Sequence, residues 1–212
     1  MYEGPLADEL FLIGHDEYTG KARVGDSVLG TGLAGAILGE LALANRIFVD
    51  EDTQVIVNDR RSIGDRVTDT ALTEMLNQSV VHPVRAWVEY LRDSARELIA
   101  PRLLNSGLLE QVSSRGILKQ VVRYPVRDRI NALTPEVRLR YMMSHTAELD
   151  EKTALLGCLV RAAGLDFVLG GATGREVREG LEQMSVLLKP NLRGLMVGVD
   201  AAIAQLALRG RR

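Results

Sequence analysis

The sequence predicts a mainly α fold: a compact helical domain around buried apolar helices, with a protruding β-hairpin and a second short strand pair. Three stretches carry this expectation. In Val28–Val49 (VLGTGLAGAILGELALANRIFV) the only charge between Leu29 and Leu43 is Glu40, and a helix there is apolar nearly all round, as buried helices are. A second apolar run, LRGLMVGVDAAIAQLAL, has only Asp200 and Gln205 inside it after Arg193 and predicts another core helix. Between them, the β-leaning runs Leu108–Val112 and Ile117–Tyr124 flank the turn-rich Ser113-Ser114-Arg115-Gly116, which predicts a hairpin. No linker interrupts the 212 residues, so one domain over 1–212 is expected.

In chain order, Pro5 opens a first helix, LADELFLIGHD. Its Leu6, Leu10 and Ile13 recur at helical spacing, and Asp8 and Glu9 fall in the first turn, where acids suit the helix dipole. Glu17–Gly25 is polar and bounded by glycine, a loop or short hairpin. The core helix follows, with Gly30, Gly32, Gly35 and Gly39 allowing close helix packing, and Asn45 suits its C-terminus. Arg46–Val49 and Gln54–Asn58 alternate weakly and are expected to pair as antiparallel strands around the acidic turn Asp50-Glu51-Asp52, with Asp59-Arg60-Arg61 as a solvated tip. Val67, Ala71, Leu72, Met75 and Leu76 mark an amphipathic helix that ends before His82-Pro83, and Val84, Trp87, Val88 and Leu91 mark the next. Ser94 with Glu97 three residues on resembles a capping box opening a helix that stops at Asn105-Ser106-Gly107. Pro125 ends the second hairpin arm. The remainder is helical, with breaks at Thr134-Pro135, Glu148–Glu151 and Gly170-Gly171, helices over Lys152–Ala163 and Thr173–Leu188, and a basic tail at Arg209–Arg212.

Composition excludes several function classes. With 26 basic and 28 acidic side chains, no whole-molecule field draws the chain to nucleic acid or to anionic membranes, so such binding requires a local patch. The single cysteine, Cys158, sits in an apolar run and reads as a buried thiol in a reducing compartment. No signal peptide is visible in MYEGPLADELF, which predicts a cytoplasmic location. The three histidines have no second ligand at metal spacing, so neither a metal nor a cofactor is expected. Gly30-x-Gly32-x-x-Gly35 lacks the preceding strand of a dinucleotide fingerprint, and Gly170-Gly171-Ala172-Thr173-Gly174 lacks the lysine of a phosphate loop. With no activated nucleophile or carboxylate pair to argue from, a catalytic site is not expected.

What remains is a set of basic residues around the hairpin: Arg92, Arg96 and Arg102 before it, Arg115, Lys119 and Arg123 on it, and Arg127 and Arg129 after it. They form one cationic surface if the helix after Ser94 packs beside the hairpin. The competing outcome is pairing with Asp93, Glu97, Glu110 and Asp128. A helix followed by a hairpin also describes a winged-helix module, although the balanced charge disfavours nucleic acid.

GLAGAILGELALANRI resembles the core-helix stretch of the Golgi phosphoprotein 3 family, the phosphatidylinositol-4-phosphate-binding Golgi adaptors with shorter bacterial relatives. The resemblance extends through PLADELFLIGHD, Trp87-Val88-Glu89-Tyr90-Leu91, ARELIAPRLLNSGLL and the hairpin after it. It implies a mainly helical domain with a protruding hairpin and a phosphoinositide pocket beside that hairpin. It also implies a non-enzymatic, peripheral membrane-associated adaptor whose partners are an anionic headgroup and protein tails. Of the family's headgroup residues, one arginine matches Arg96 and another falls on Asp93, next to Arg92. The tryptophan and arginine at the start of the core helix fall on Gly25 and Ala34, so an altered headgroup site is implied. Arg92, Arg96, Lys119, Arg123 and Arg127 are therefore the expected lipid-binding residues, and Trp87 is expected in the core. Glu40 is expected to be bonded to an arginine or to free backbone donors, with Arg46 and Arg161 as the candidates, so that its loss would strand a partner.

Overall fold

Helix α2 (Asp26–Leu43) forms the centre of the molecule and is enclosed on nearly every side, from Leu29 through Gly39 and again at Leu41 and Ala42. The computed structural model describes residues 2–115, 120–145, 149–170 and 174–209. Asp26 lies in the first turn of α2. At the other end Asn45 takes the left-handed conformation (φ 54°), Arg46 N–H donates to Leu41 O at 2.8 Å and Asn45 N–H to Ala42 O at 3.0 Å. These are the two reverse bonds of a Schellman motif, which is the stop that Asn45 foretold.

The other helices surround this rod. α1 (Leu6–Gly14), α3 (Arg66–Leu76), α4 (Val84–Leu91), α5 (Ala95–Asn105), α8 (Glu151–Ala162) and α10 (Pro190–Arg209) all pack on α2. Its glycines make the approach possible. A Cβ on Gly30 would sit 2.5 Å from the backbone oxygen of Arg92, and one on Gly35 would sit 2.8 Å from Val199 Cγ2. The short α6 (Arg129–Ala132), α7 (Thr134–Ser144), a 3-10 helix at Asp166–Leu169 and α9 (Gly174–Leu187) build the rest of the helical shell.

β1 (Ile47–Val49) and β2 (Gln54–Val57) pair antiparallel as expected, with Phe48 opposite Ile56. A third strand, β3 (His82–Pro83), adds to β2 through Val55 and Gln54. The hairpin arms are β4 (Val112–Arg115) and β5 (Gln120–Arg123). Here the structure departs from the sequence expectation, because Ser113, Ser114 and Arg115 are strand residues paired with Val122, Val121 and Gln120. Serine fits a two-stranded ribbon as well as a turn. Gly116–Lys119 lie outside the described residues, as do Gly210–Arg212 and the Gly171–Thr173 part of the glycine-rich segment.

Two further expectations change. α10 buries one face only: Leu195, Val199 and Ala202 are enclosed while Val197 and Leu208 are exposed, so it covers the core and is not its centre. Ser94 does not close a capping box, since its Oγ donates to Leu91 O at 3.2 Å. Asp8 and Glu9 lie in the first turn of α1, as expected, and are 2% and 0% exposed. Glu9 is held between Arg138 and Lys152, whose Nζ lies 2.9 Å from Oε1. Trp87 is in the core, as expected.

Among the described residues α2 is the helix whose length and apolarity would allow it to cross a membrane, but 72% of that stretch is buried inside the protein. It is a core helix.

Candidate functional site

Two adjoining hollows open where the start of α2, the start of α5 and the base of the hairpin meet, and Asp26 and Arg96 line both. The first, about 420 Å³, is lined by Asp26, Ser27, Gly30, Arg92, Asp93 and Glu97 besides Arg96. The second, about 400 Å³, is lined by Gly20, Lys21, Gly25, Val122 and Arg123 besides the shared pair. Their electrostatics are opposite. Arg92 in the first is tied to Asp93 (3.0 Å), and Asp26, Asp93 and Glu97 outnumber its two arginines. In the second, Lys21, Arg96 and Arg123 face Asp26 alone, and none of the three has a carboxylate within 4 Å among the described residues.

Local structure sets these side chains in place. Gly20, in the left-handed region at φ 62°, lets the 16–21 loop lie against the hairpin's end. A Cβ there would come within 2.5 Å of Tyr124 and Pro125 backbone atoms. Val126 N–H donates to Glu17 O at 2.9 Å, fixing that contact and bringing Lys21 beside Arg123. Arg96 projects from the first turn of α5 and lies over the Tyr124 ring, 5.2 Å from its centroid. Its Nε is buried and has no hydrogen-bond partner. A stacked, half-buried guanidinium without a carboxylate partner keeps its positive charge available to an anion in the hollow. Below it, His15 stacks on Phe11 (4.0 Å) with Nδ1 2.7 Å from Phe11 O, and burial lowers its pKa to about 4, so it is neutral and donates from Nδ1.

The remaining expected residues are dispersed. Arg102 is not on the cationic surface: it is enclosed by Asp8 (2.7 Å), Asp65 (2.7 Å) and Glu40 (3.5 Å). Arg127 is exposed beyond the hairpin and lines neither hollow, and Lys119 lies outside the described residues. Arg129 stacks on Tyr18 and donates to its hydroxyl at 2.6 Å. Val122 and Tyr124 are half-buried, and Tyr124 packs edge-on against Phe11. Lys21 is the residue that sequence pattern missed, and its only signal was a lysine beside a glycine in a polar loop.

Glu40 has the class of partner expected but not the named arginines. Its Oε1 accepts from Ala7 N–H at 2.7 Å and lies near Arg102, whereas Arg46 pairs with Asp59 and Arg161 with Asp200. Burial pushes Glu40 up to about 7, against the pull of Arg102 and the Ala7 N–H. Among the described residues no group of three His, Cys, Asp or Glu is placed to hold a metal.

Helix α5 also bears on a winged-helix arrangement. Ala95, Ile99, Ala100 and Leu103 face the core, and the outward positions Glu97, Pro101 and Asn105 carry no cation. A recognition helix needs a basic outer face.

Residues 6–198 match the sequence profile of the family described as Golgi phosphoprotein 3 (GPP34). The chain belongs to the Golgi phosphoprotein 3 family. Of the positions that the resemblance implied for a headgroup site, Arg96 lines both hollows, whereas three others offer no cation. Gly25 has open space where a side chain would begin, Ala34 is fully buried in the core, and Asp93 neutralises Arg92.

Proposed function

We propose that this Golgi phosphoprotein 3 family member is a non-enzymatic, peripheral membrane-associated adaptor that takes an anionic lipid headgroup in the hollow lined by Lys21, Arg96 and Arg123. The observation that supports this most directly is the three cations without carboxylate partners converging there, with Arg96 stacked on Tyr124. Family membership supports the adaptor role, with a phosphoinositide headgroup and protein tails as its partners. The neighbouring hollow, with Asp26, Asp93 and Glu97, repels a phosphate, so the headgroup site is shifted toward the hairpin.

Co-sedimentation with phosphatidylcholine vesicles, with and without phosphatidylinositol-4-phosphate or phosphatidylglycerol, tests it. Binding is expected only to the anionic vesicles and weakens with salt. Each cation near such a surface contributes about 1 kcal/mol, so Arg96→Ala and Lys21→Ala should each weaken binding roughly fivefold or more without altering thermal stability. Equal sedimentation with neutral and anionic vesicles at low salt overturns the proposal.

A further inference from the structure

A cleft of about 200 Å³ lies apart from the headgroup site, lined by Gln78, His82, Ala86, Trp87 and Tyr90. None of these residues lines either hollow beside the hairpin. Local structure sets the walls. His82 belongs to β3 and is held opposite Val55 of β2, and the bond from Val84 N–H to Thr53 O at 2.9 Å fixes the start of α4 beside that strand. Trp87 and Tyr90 follow three residues apart on α4 and share one stripe of it. Ala86, four residues before Tyr90, adds only a methyl group to the wall. Trp87, 5% exposed, forms the buried end, and Tyr90 is 59% exposed.

The rings stand nearly at right angles. His82 meets Trp87 at 85° and Trp87 meets Tyr90 at 86°, with 5.9 Å between centroids in each pair. Rings crossed in this way turn their electron-rich faces in more than one direction around the space they border. An organic cation is attracted to such faces, and a methylated ammonium, whose hydration is weak, gives up little to reach them. The charges favour the same sign. No lysine or arginine lines the cleft. Glu74 of α3 accepts from the Tyr90 hydroxyl at 3.0 Å and has no cation within 4 Å among the described residues. The cations of the flanking elements are engaged elsewhere: Arg85 pairs with Glu89 (3.8 Å), Arg92 with Asp93 (3.0 Å), and Arg66 lines a different hollow.

We propose that this cleft binds a trimethylammonium group, with His82, Trp87 and Tyr90 as an aromatic cage and the Glu74 carboxylate supplying the compensating charge. The site is independent of the headgroup proposal, which stands or falls on its own test.

The experiment titrates the full chain with choline chloride against sodium chloride of equal ionic strength. Trp87 is the single tryptophan, so its emission reports on the cleft without a label. A saturable change is expected, with half-saturation on the order of millimolar, the range that a few cation–ring contacts reach. The uncharged isostere 3,3-dimethyl-1-butanol should bind at least about fivefold more weakly, and Tyr90→Ala should weaken choline binding about fivefold, whereas Tyr90→Phe, which keeps the ring, should stay within about twofold. Tyr90 is mostly exposed, so the melting temperature of both variants should match wild type. Short-chain phosphatidylcholine below micelle formation separates the sources of the group: potency equal to that of choline extends the site to a lipid headgroup, and no effect restricts it to the free ion. Equal affinity for choline and its uncharged isostere overturns the proposal, as does the absence of a saturable change with choline or unaltered choline binding by folded Tyr90→Ala.

Discussion

Glu40→Gln discriminates between two views of the buried charges. Viewed as a simple ion pair, Glu40 stabilises the fold, and its loss strands Arg102 at a cost of about 3–5 kcal/mol. The geometry says otherwise. Arg102 is already held by Asp8 and Asp65 at 2.7 Å each, while Glu40 is its most distant carboxylate at 3.5 Å. Three carboxylates share one guanidinium in a site where burial disfavours charge, so the cluster is short of positive charge. Burial raises Asp8 as well as Glu40. Glu40 goes from 4.5 to about 7, and at about 1.4 kcal/mol per unit its ionised form is disfavoured by about 3 kcal/mol. Because the folded pKa is raised, the stability associated with Glu40 is fully present below about pH 4.5 and is lost as pH rises through about 7. A glutamine imitates the protonated acid and can still accept from Ala7 N–H. Urea unfolding of wild type and Glu40→Gln should therefore give nearly equal stabilities at about pH 5. At about pH 8 the variant should be more stable by about 1–3 kcal/mol. This reverses the loss of stability expected from sequence. A variant weaker than wild type by a constant amount at both pH values would refute the reasoning and restore the simple ion pair.

The opposite sign is expected at Glu9, which is fully buried between two cations, Arg138 and Lys152. Glu9→Gln should lose about 3–5 kcal/mol in the same urea assay, and a neutral result would show that the two cations find other partners. Gly30→Ala gains about 1 kcal/mol of helix propensity, but its Cβ would meet the Arg92 carbonyl at 2.5 Å, and backbone cannot yield as a side-chain tip can. A net loss of about 1–3 kcal/mol is expected, read as a lower melting temperature, and an unchanged or higher one would contradict the close approach of α2 and α4. Burial pushes the Cys158 thiol up to about 11, so disulfide reagents should label it at neutral pH only on unfolding. Labelling of the native protein at the rate of a free thiol would contradict this.

Elements with a strong local pattern were legible in the sequence. The all-round apolar run gave α2 with its Asn45 stop, the alternation gave β1 and β2, and the amphipathic spacing gave α3 and α4. What escaped depended on partners distant in the chain. β3 is two residues long and is a strand only because β2 lies beside it. Asp8 and Glu9 read as first-turn acids, and their burial, which depends on the approach of Arg102, Arg138 and Lys152, carries no local signal. At the candidate site Arg96 and Arg123 were legible as cations near a hairpin. Lys21 was not, because its place depends on the Val126–Glu17 bond that folds its loop onto the strand. Arg102 was misplaced for the same reason, since its enclosing carboxylates come from three other segments.

The manner in which α2 is enclosed also has a consequence for biosynthesis. This helix is apolar enough to suit a bilayer, yet Val199, which helps enclose it at Gly35, belongs to α10, more than 150 residues downstream of Leu43. At about 5–20 residues per second, a nascent chain would carry an incompletely covered hydrophobic rod for on the order of 10–30 s. A charge in an apolar helix makes entry into a bilayer costly, so Glu40 makes the uncovered segment a poorer membrane span than its apolar residues alone would make it.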